Sequence, residues 1–234
     1  MLLSIIVPCY NEKTTIKKII NKIIKLKIKK EVIVVDDGSI DGTTKILKND
    51  LKNTVKKIIF HKKNKGKGAA IKSALKFIKG DIIIIQDADL EYDPSDYYSL
   101  IKPFSWKNVN VVYGSRVLGR KKKFTQHNFA KQFRIFANYT LTTISNFLNN
   151  QNLTDAHTCY KVFRKPVFLR LKIREKRFSF CPEVTTKLSR LNIKILEVPI
   201  RYQGRSYKDG KKIGLKDAFE AIFTILKYKL KKKF

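Results

Sequence analysis

Three short apolar runs, each closing on acidic residues, constrain this chain more than anything else in it. Leu3-Ser4-Ile5-Ile6-Val7 and Val32-Ile33-Val34-Val35 read as strands. Between them Ile16, Ile19, Ile20 and Ile23 recur with the helical period, while Lys17, Lys18 and Lys22 fall off that face. Strand, helix, strand with continuously apolar strands predicts an α/β fold: a mostly parallel central sheet with helices on both faces. Asp81-Ile82-Ile83-Ile84-Ile85-Gln86 supplies a third buried strand.

Ligands of such sheets bind beyond the carboxyl ends of the strands. The three ends deliver Glu12, Asp36, Asp37, Asp87 and Asp89 to one edge. Acid groups there are costly unless something pairs with them. Magnesium or manganese does so, because hard cations take carboxylate oxygens and leave positions open for a substrate's phosphates. Any one of these acids also reads as a helix cap or turn former, and Ser39 and Asp41 are expected to be just that. Five together, in a chain of 234 residues with only 19 Asp and Glu, favour a site.

The order VPCYNE, VVDDGSIDGT, NKGKGAA and DADLEYDP resembles the family 2 glycosyltransferases with the GT-A fold. Within them it is most similar to the polyprenyl-phosphate hexose synthases, the group of dolichyl-phosphate mannose and glucose synthases. Tyr113-Gly114-Ser115-Arg116, then Thr154-Asp155 with Tyr160-Lys161-Val162-Phe163-Arg164, then Gly204-Arg205-Ser206-Tyr207 resemble the same group in the same order. The likeness runs from Leu3 to about Lys212.

That resemblance implies a GT-A nucleotide-diphospho-sugar transferase domain over residues 1–212, followed by a C-terminal amphipathic basic helix over 213–234. It implies Mg2+ or Mn2+ as cofactor, with Asp89 as central ligand, Asp87 beside it toward metal or sugar, and Glu91 in the third position. Pro8, Tyr10 and Glu12 would line the base and ribose pocket, and Asp37 would contact the base. Arg116 would face an acceptor phosphate, Arg205 and Lys211 would close over the phosphates, and Arg134 joins them as a candidate. Asp155 is either a base, a sugar-orienting group or a partner for Arg116 or Arg164; with Asp89 and Arg116 it completes the catalytic candidates. Asn64-Lys65-Gly66-Lys67-Gly68-Ala69-Ala70 opens a helix without being a phosphate loop or a dinucleotide fingerprint, since Ile71 takes the third glycine's place. Its small residues are expected to bring that helix close to the donor, the alternative being plain packing against the sheet.

The implied reaction is inverting transfer of a hexose from a UDP- or GDP-sugar to a polyprenyl (dolichyl or undecaprenyl) phosphate. Such an acceptor is already ionised near neutral pH, because its second pKa is about 6, and it asks for cations rather than a general base. One alternative is the same fold acting on a hydroxyl acceptor in cell-envelope glycan synthesis. Another is a catalytically silent basic module that binds anions or nucleic acid.

Charge bears on the partner. Fifty-one Lys and Arg give a net +32, a field that attracts polyanions and anionic membrane surfaces. No recognition-helix pattern, zinc finger or RNP-like motif is present, so no specific nucleic-acid partner is expected. Cys9, Cys159 and Cys181 are scattered and read as reduced thiols of a cytoplasmic protein; they form no C-x-x-C, and His61, His127 and His157 are far apart, which argues against zinc. Near the C-terminus Leu215, Phe219, Ile222, Phe223, Leu226 and Leu230 share a helical face, with Lys216, Glu220, Lys227, Lys231 and Lys232-Lys233 elsewhere. That face is expected either to pack on the domain or to lie on an anionic membrane. No run approaches the ~20 apolar residues of a membrane span. A place at the cytosolic membrane face is then peripheral, or borrowed from a membrane-anchoring subunit.

Overall fold

The apolar runs form the middle of a seven-stranded sheet: β1 (Leu3–Cys9), β2 (Lys30–Asp36), β3 (Lys57–Phe60), β4 (Ile82–Ile85), β5 (Val111–Ser115), β6 (Lys161–Arg164) and β7 (Leu196–Pro199). The structure is a computed structural model that describes residues 1–120, 129–204 and 215–231; the side chains of residues 129–131, 133, 134 and 215–217 lie outside that description. The strand order is β3-β2-β1-β4-β6-β5-β7. β6 alone runs against its neighbours β4 and β5, and every other pairing is parallel. Ile6 stands opposite Ile33 on one side and Ile85 on the other, so the three acid-bearing strand ends are adjacent.

Eight α-helices cover the described sheet: α1 (Ile16–Lys25), α2 (Thr43–Asn49), α3 (Lys67–Ala74), α4 (Tyr97–Ile101), α5 (Phe129–Asn149), α6 (Lys165–Arg170), α7 (Phe180–Arg190) and α8 (Leu215–Leu230). Alternate strand residues serve opposite faces, as the pleat requires. Ile5, Val7, Val32, Val34, Ile82 and Ile84 meet Ile16, Ile19, Ile20 and Ile23 of α1. Ile6, Ile33, Val35, Ile83 and Ile85 meet Ala70, Ile71 and Ala74 of α3, and Val184 and Leu188 of α7. The four α1 isoleucines are wholly buried, each contributing about 2 kcal/mol on transfer from water. Lys22 and Lys25 in the last turn of α1 complement the negative end of its dipole.

α8 packs on α7 and α5, so it is built into the domain. It does so through Ala221, Thr224, Ile225 and Tyr228. The apolar strip singled out from the sequence points the other way: Phe219 is 71% exposed, Phe223 69% and Leu230 79%. Among the described residues no helix is long and apolar enough to cross a membrane, and all three cysteines are free.

Candidate active site

The ends of β1 and β2 are laced together. Asn11 takes the left-handed conformation (φ 56°), which lets its side chain accept from Ile40 N while its own N–H reaches Ser39 Oγ. Glu12 N–H donates to Thr43 Oγ1, and Asp41 accepts from Lys13 N, Thr43 N and the Thr43 hydroxyl. Ser39 and Asp41 are thus the turn formers expected of them. Asp36 accepts from Ser39 N and Thr44 Oγ1 and braces the same turn. Pro8 is buried within β1, Tyr10 leaves its ring 42% exposed at the rim, and Glu12 takes the Thr15 hydroxyl.

Asp37 is nearly buried. Its oxygens accept from Lys65 N and Gly66 N, and from His61 Nδ1 at 2.6 Å; His61 Nε2 contacts Ser73 Oγ. In this arrangement Asp37 holds the loop that leads into α3. Gly66 (φ 93°) and Gly68 lie against the backbone of Lys176 and Glu175, where a Cβ would collide, and Ala69 N reaches Lys176 O at 3.1 Å. The small residues of this segment therefore fit it to the 175–176 strand of chain.

At the end of β4 the buried Gln86 is a fixed point. Its Oε1 accepts from the hydroxyls of Tyr97 and Tyr160, both at 2.7 Å, and its amide donates to Asp87 O. Leu90 follows with φ 63°, a strained conformation for a bulky side chain and one that clusters at functional loops. Asp87 pairs with Lys67 Nζ at 2.5 Å, and that nitrogen also lies 3.1 Å from Cys159 Sγ. Burial disfavours the Lys67 charge, but Asp87 outweighs it and raises the ammonium well above its ordinary value. Burial and the Asp87 charge push the Cys159 thiol up. Asp89 Oδ1 accepts from Glu91 N. Glu91 turns inward, and its Oε2 accepts from Tyr202 OH at 2.9 Å. Among the described residues, Asp87, Asp89 and Glu91 do not form a ready cluster of three metal ligands. Two carboxylates on adjacent positions of one loop still fit a hard cation that takes its remaining ligands from a substrate diphosphate and water.

The second half of the site gathers around Arg116, just past β5. Its Nε donates to Asp155 Oδ2 at 2.6 Å and its Nη2 to Asp155 Oδ1 at 2.7 Å; its backbone N–H adds a third bond to Asp155. Asn138 of α5 takes Nη2 on its Oδ1 and donates to Asp155 Oδ1. Asp155 is wholly buried. Burial works to raise its carboxyl, yet the Arg116 guanidinium and these hydrogen bonds hold it below the ordinary carboxylate value. The guanidinium, itself opposed by burial, is raised by Tyr92 and Asp155. Glu197 of β7 accepts from Thr154 N, Asp155 N and the Thr154 hydroxyl, fixing the loop from behind.

Tyr202 joins the two halves. Its hydroxyl holds Glu91, and Arg116 lies over its ring at 5.2 Å. Tyr92 stacks on the same ring and accepts Cys159 N on its hydroxyl. Lys67, Gln86, Asn138, Glu197 and Tyr202 were not among the expected site residues, because each acts through a partner distant in sequence. Arg164, one suggested partner of Asp155, instead donates to the carbonyls of Phe104, Trp106 and Val109. Arg205 and Lys211 lie outside the described residues, as does the side chain of Arg134 on α5.

With this geometry in view, the comparisons with known proteins take their place. The profile described as Glycosyl transferase family 2 matches residues 4–171. The chain belongs to glycosyl transferase family 2. This family 2 protein is 29% identical, over 249 residues, to a UDP-N-acetylglucosamine–dolichyl-phosphate N-acetylglucosaminyltransferase of Methanococcus voltae, a match spanning 99% of this chain and 97% of the relative. It is 26% identical over 223 residues to a dolichyl-phosphate beta-glucosyltransferase of Dictyostelium discoideum, spanning 86% of this chain and 66% of that one. Its fold is that of the glucosyl-3-phosphoglycerate synthase of Mycobacterium tuberculosis, crystallised with Mn2+, UDP and glucosyl-3-phosphoglycerate: the TM-score is 0.69 at 17% identity, over 97% of this chain and 79% of that one. The fold is GT-A, as the family 2 resemblance implied.

Proposed function

We propose that the protein transfers a sugar, with inversion, from a UDP- or GDP-sugar to a polyprenyl phosphate. The observation that carries this reading is the state of Asp155. Each of its oxygens is occupied by donors from Arg116 or Asn138, and its carboxyl is held low. A carboxylate so engaged is a poor proton acceptor, and a hydroxyl acceptor needs one. A phosphate acceptor arrives already ionised. What it needs is a fixed cation, and Asp155 orients Arg116 as a planar donor for it. The surroundings suit an acceptor with a hydrocarbon tail: Val117 and Leu118, next to Arg116, are 43% and 50% exposed, and Phe136 and Tyr139 stand exposed on either side of Asn138. The dolichyl-phosphate transferases among the relatives point to the same acceptor class.

On the donor side, Tyr10 offers a ring for the base, and Pro8 and Glu12 shape the ribose end, while Asp37 sets the loop beneath them. Asp87 and Asp89 would hold Mg2+ or Mn2+, which supplies Lewis-acid stabilisation of the departing diphosphate; a family 2-like fold crystallised with either ion supports that choice. Gln86 fixes Asp87 through its carbonyl, and Lys67 brings a permanent positive charge to the same place. Tyr202 keeps Arg116 in step with the Asp89–Glu91 turn. In this scheme Asp155 is a positioning residue, Arg116 meets the acceptor phosphate, and Arg134, Arg205 and Lys211 remain proposed phosphate contacts.

The test incubates the purified protein with Mn2+, a short polyprenyl phosphate and radiolabelled UDP- and GDP-sugars, UDP-N-acetylglucosamine among them, followed by solvent extraction. Label should enter the lipid phase and vanish with Asp89→Ala. Label that instead enters an added hydroxyl glycan acceptor, with none in the lipid phosphate, would overturn the acceptor assignment.

A further inference from the structure

We infer that the outward face of α8 docks the protein on an anionic lipid bilayer. Phe219, Phe223, Leu226 and Leu230 recur at intervals of four, three and four residues, one stripe of a helix, and all four are exposed, from 40% at Leu226 to 79% at Leu230. A soluble protein rarely leaves so continuous an apolar strip bare without a partner for it.

The strip cannot roll inward, because the opposite face of α8 is fastened. Tyr228 is wholly buried, and its hydroxyl donates to Glu175 at 2.8 Å. Arg190 of α7 donates to the carbonyls of Tyr228 and Lys231, and the Lys187 ammonium lies over the Tyr228 ring at 4.6 Å. The outward direction is therefore a built property of the packing.

Charge identifies the occupant. The C-terminal end of α8 borders a hollow of about 450 Å³ carrying five cations, Arg174, Lys176, Arg177, Lys227 and Lys231. Its two carboxylates are Glu175 and Glu220, and Glu175 is already paired with Lys227. Lys229 adds a further exposed cation in the last turn. Apolar side chains next to a basic patch match the boundary between acyl chains and anionic headgroups. A second copy of the chain fits poorly, since each brings the same net +32 to the contact. The inference does not depend on the transfer reaction, and neither donor nor acceptor enters its test.

The test is sedimentation of the full chain with vesicles of phosphatidylcholine alone, or of phosphatidylcholine mixed with phosphatidylglycerol, at low and high salt. The chain should sediment with the mixed vesicles, bind the neutral ones at least about tenfold more weakly, and release with salt. Phe223→Glu and Leu230→Glu should each weaken binding about tenfold or more, whereas Trp106→Glu, at an exposed aromatic outside α8, should leave it unchanged. Thermal melts confirm that each variant is folded, and two variants at exposed positions guard against one that is not. A wild-type chain that stays in the supernatant overturns the inference, as do Phe223→Glu and Leu230→Glu variants that bind undiminished. So does a dimer, seen by light scattering, that these two substitutions split.

Discussion

Arg116 and Asp155 face each other through a planar fork, Nε to Oδ2 and Nη2 to Oδ1, closed at 2.6 and 2.7 Å around a carboxylate with no exposed surface. Replacing Asp155 by Asn breaks the charge match while keeping the shape. Turnover should fall at least about a hundredfold, and stability by about 3 kcal/mol, because a mostly buried guanidinium loses its counter-charge. Arg116→Lys should be as inactive, since an ammonium cannot form the fork. Steady-state kinetics and urea unfolding check both; near-normal turnover of Asp155→Asn would remove Asp155 from the site.

The proposed cation at Asp87 and Asp89 makes transfer sensitive to chelation. Treatment with EDTA should lower the rate at least about a hundredfold, and Mn2+ should restore it in the wild type but not in Asp89→Ala. Undiminished transfer by protein shown free of metal by elemental analysis would contradict this assignment.

Gly68 tests the fit between α3 and the 175–176 segment. Its missing side chain is what lets the helix rest against the Glu175 carbonyl. Gly68→Val should therefore destabilise by about 2–3 kcal/mol through overpacking, read as a shift of the urea midpoint at unchanged slope. An unmoved midpoint would mean that the segment yields without cost.

His157 gives the protein an acid-sensitive point. Burial, then the neighbouring Lys161 and Arg116 charges, push its pKa down to about 4, against the weaker pull of Asp155; its Nε2 is buried without a hydrogen-bond partner among the described residues. The unfolded ring titrates near 6.5, so protons favour the unfolded chain. The stability held by the neutral ring is complete above that value and is lost as the pH falls toward the folded pKa. Between pH 7 and pH 5 the loss should be about 2 kcal/mol, and His157→Gln should show a correspondingly flatter dependence. Parallel pH profiles for the two proteins would refute the assignment.

Much of the donor half was legible in the residues themselves. The isoleucine stripe of α1, the continuous strands and the acids that end them all express local periodicity, and the fold follows them closely. The pairing of Arg116 with Asp155 was one of several options the residues allowed, since Arg164 competed for the same partner until its bonds to three carbonyls were seen. The direction of β6 was not legible, because four residues, Lys161-Val162-Phe163-Arg164, look the same whichever way they run. Nor was the orientation of α8. Its apolar stripe was plain, but the inward face was chosen by Tyr228, Glu175 and Arg190, which meet only in three dimensions. Lys67 and Asp87, twenty positions apart, gave no local sign of their ion pair.

The reversal of β6 has a consequence for how such a catalyst diversifies. In a wholly parallel sheet only the segments that follow strands reach the carboxyl edge. Turning one strand round brings the segment that precedes it, Thr154 to Tyr160, to that edge as well. The motifs assigned to the donor then lie in one unbroken stretch ending near Tyr92, and those assigned to the acceptor begin only after β5. A chimaera joined between α4 and β5 could exchange one specificity for another while leaving the first half of the gene untouched.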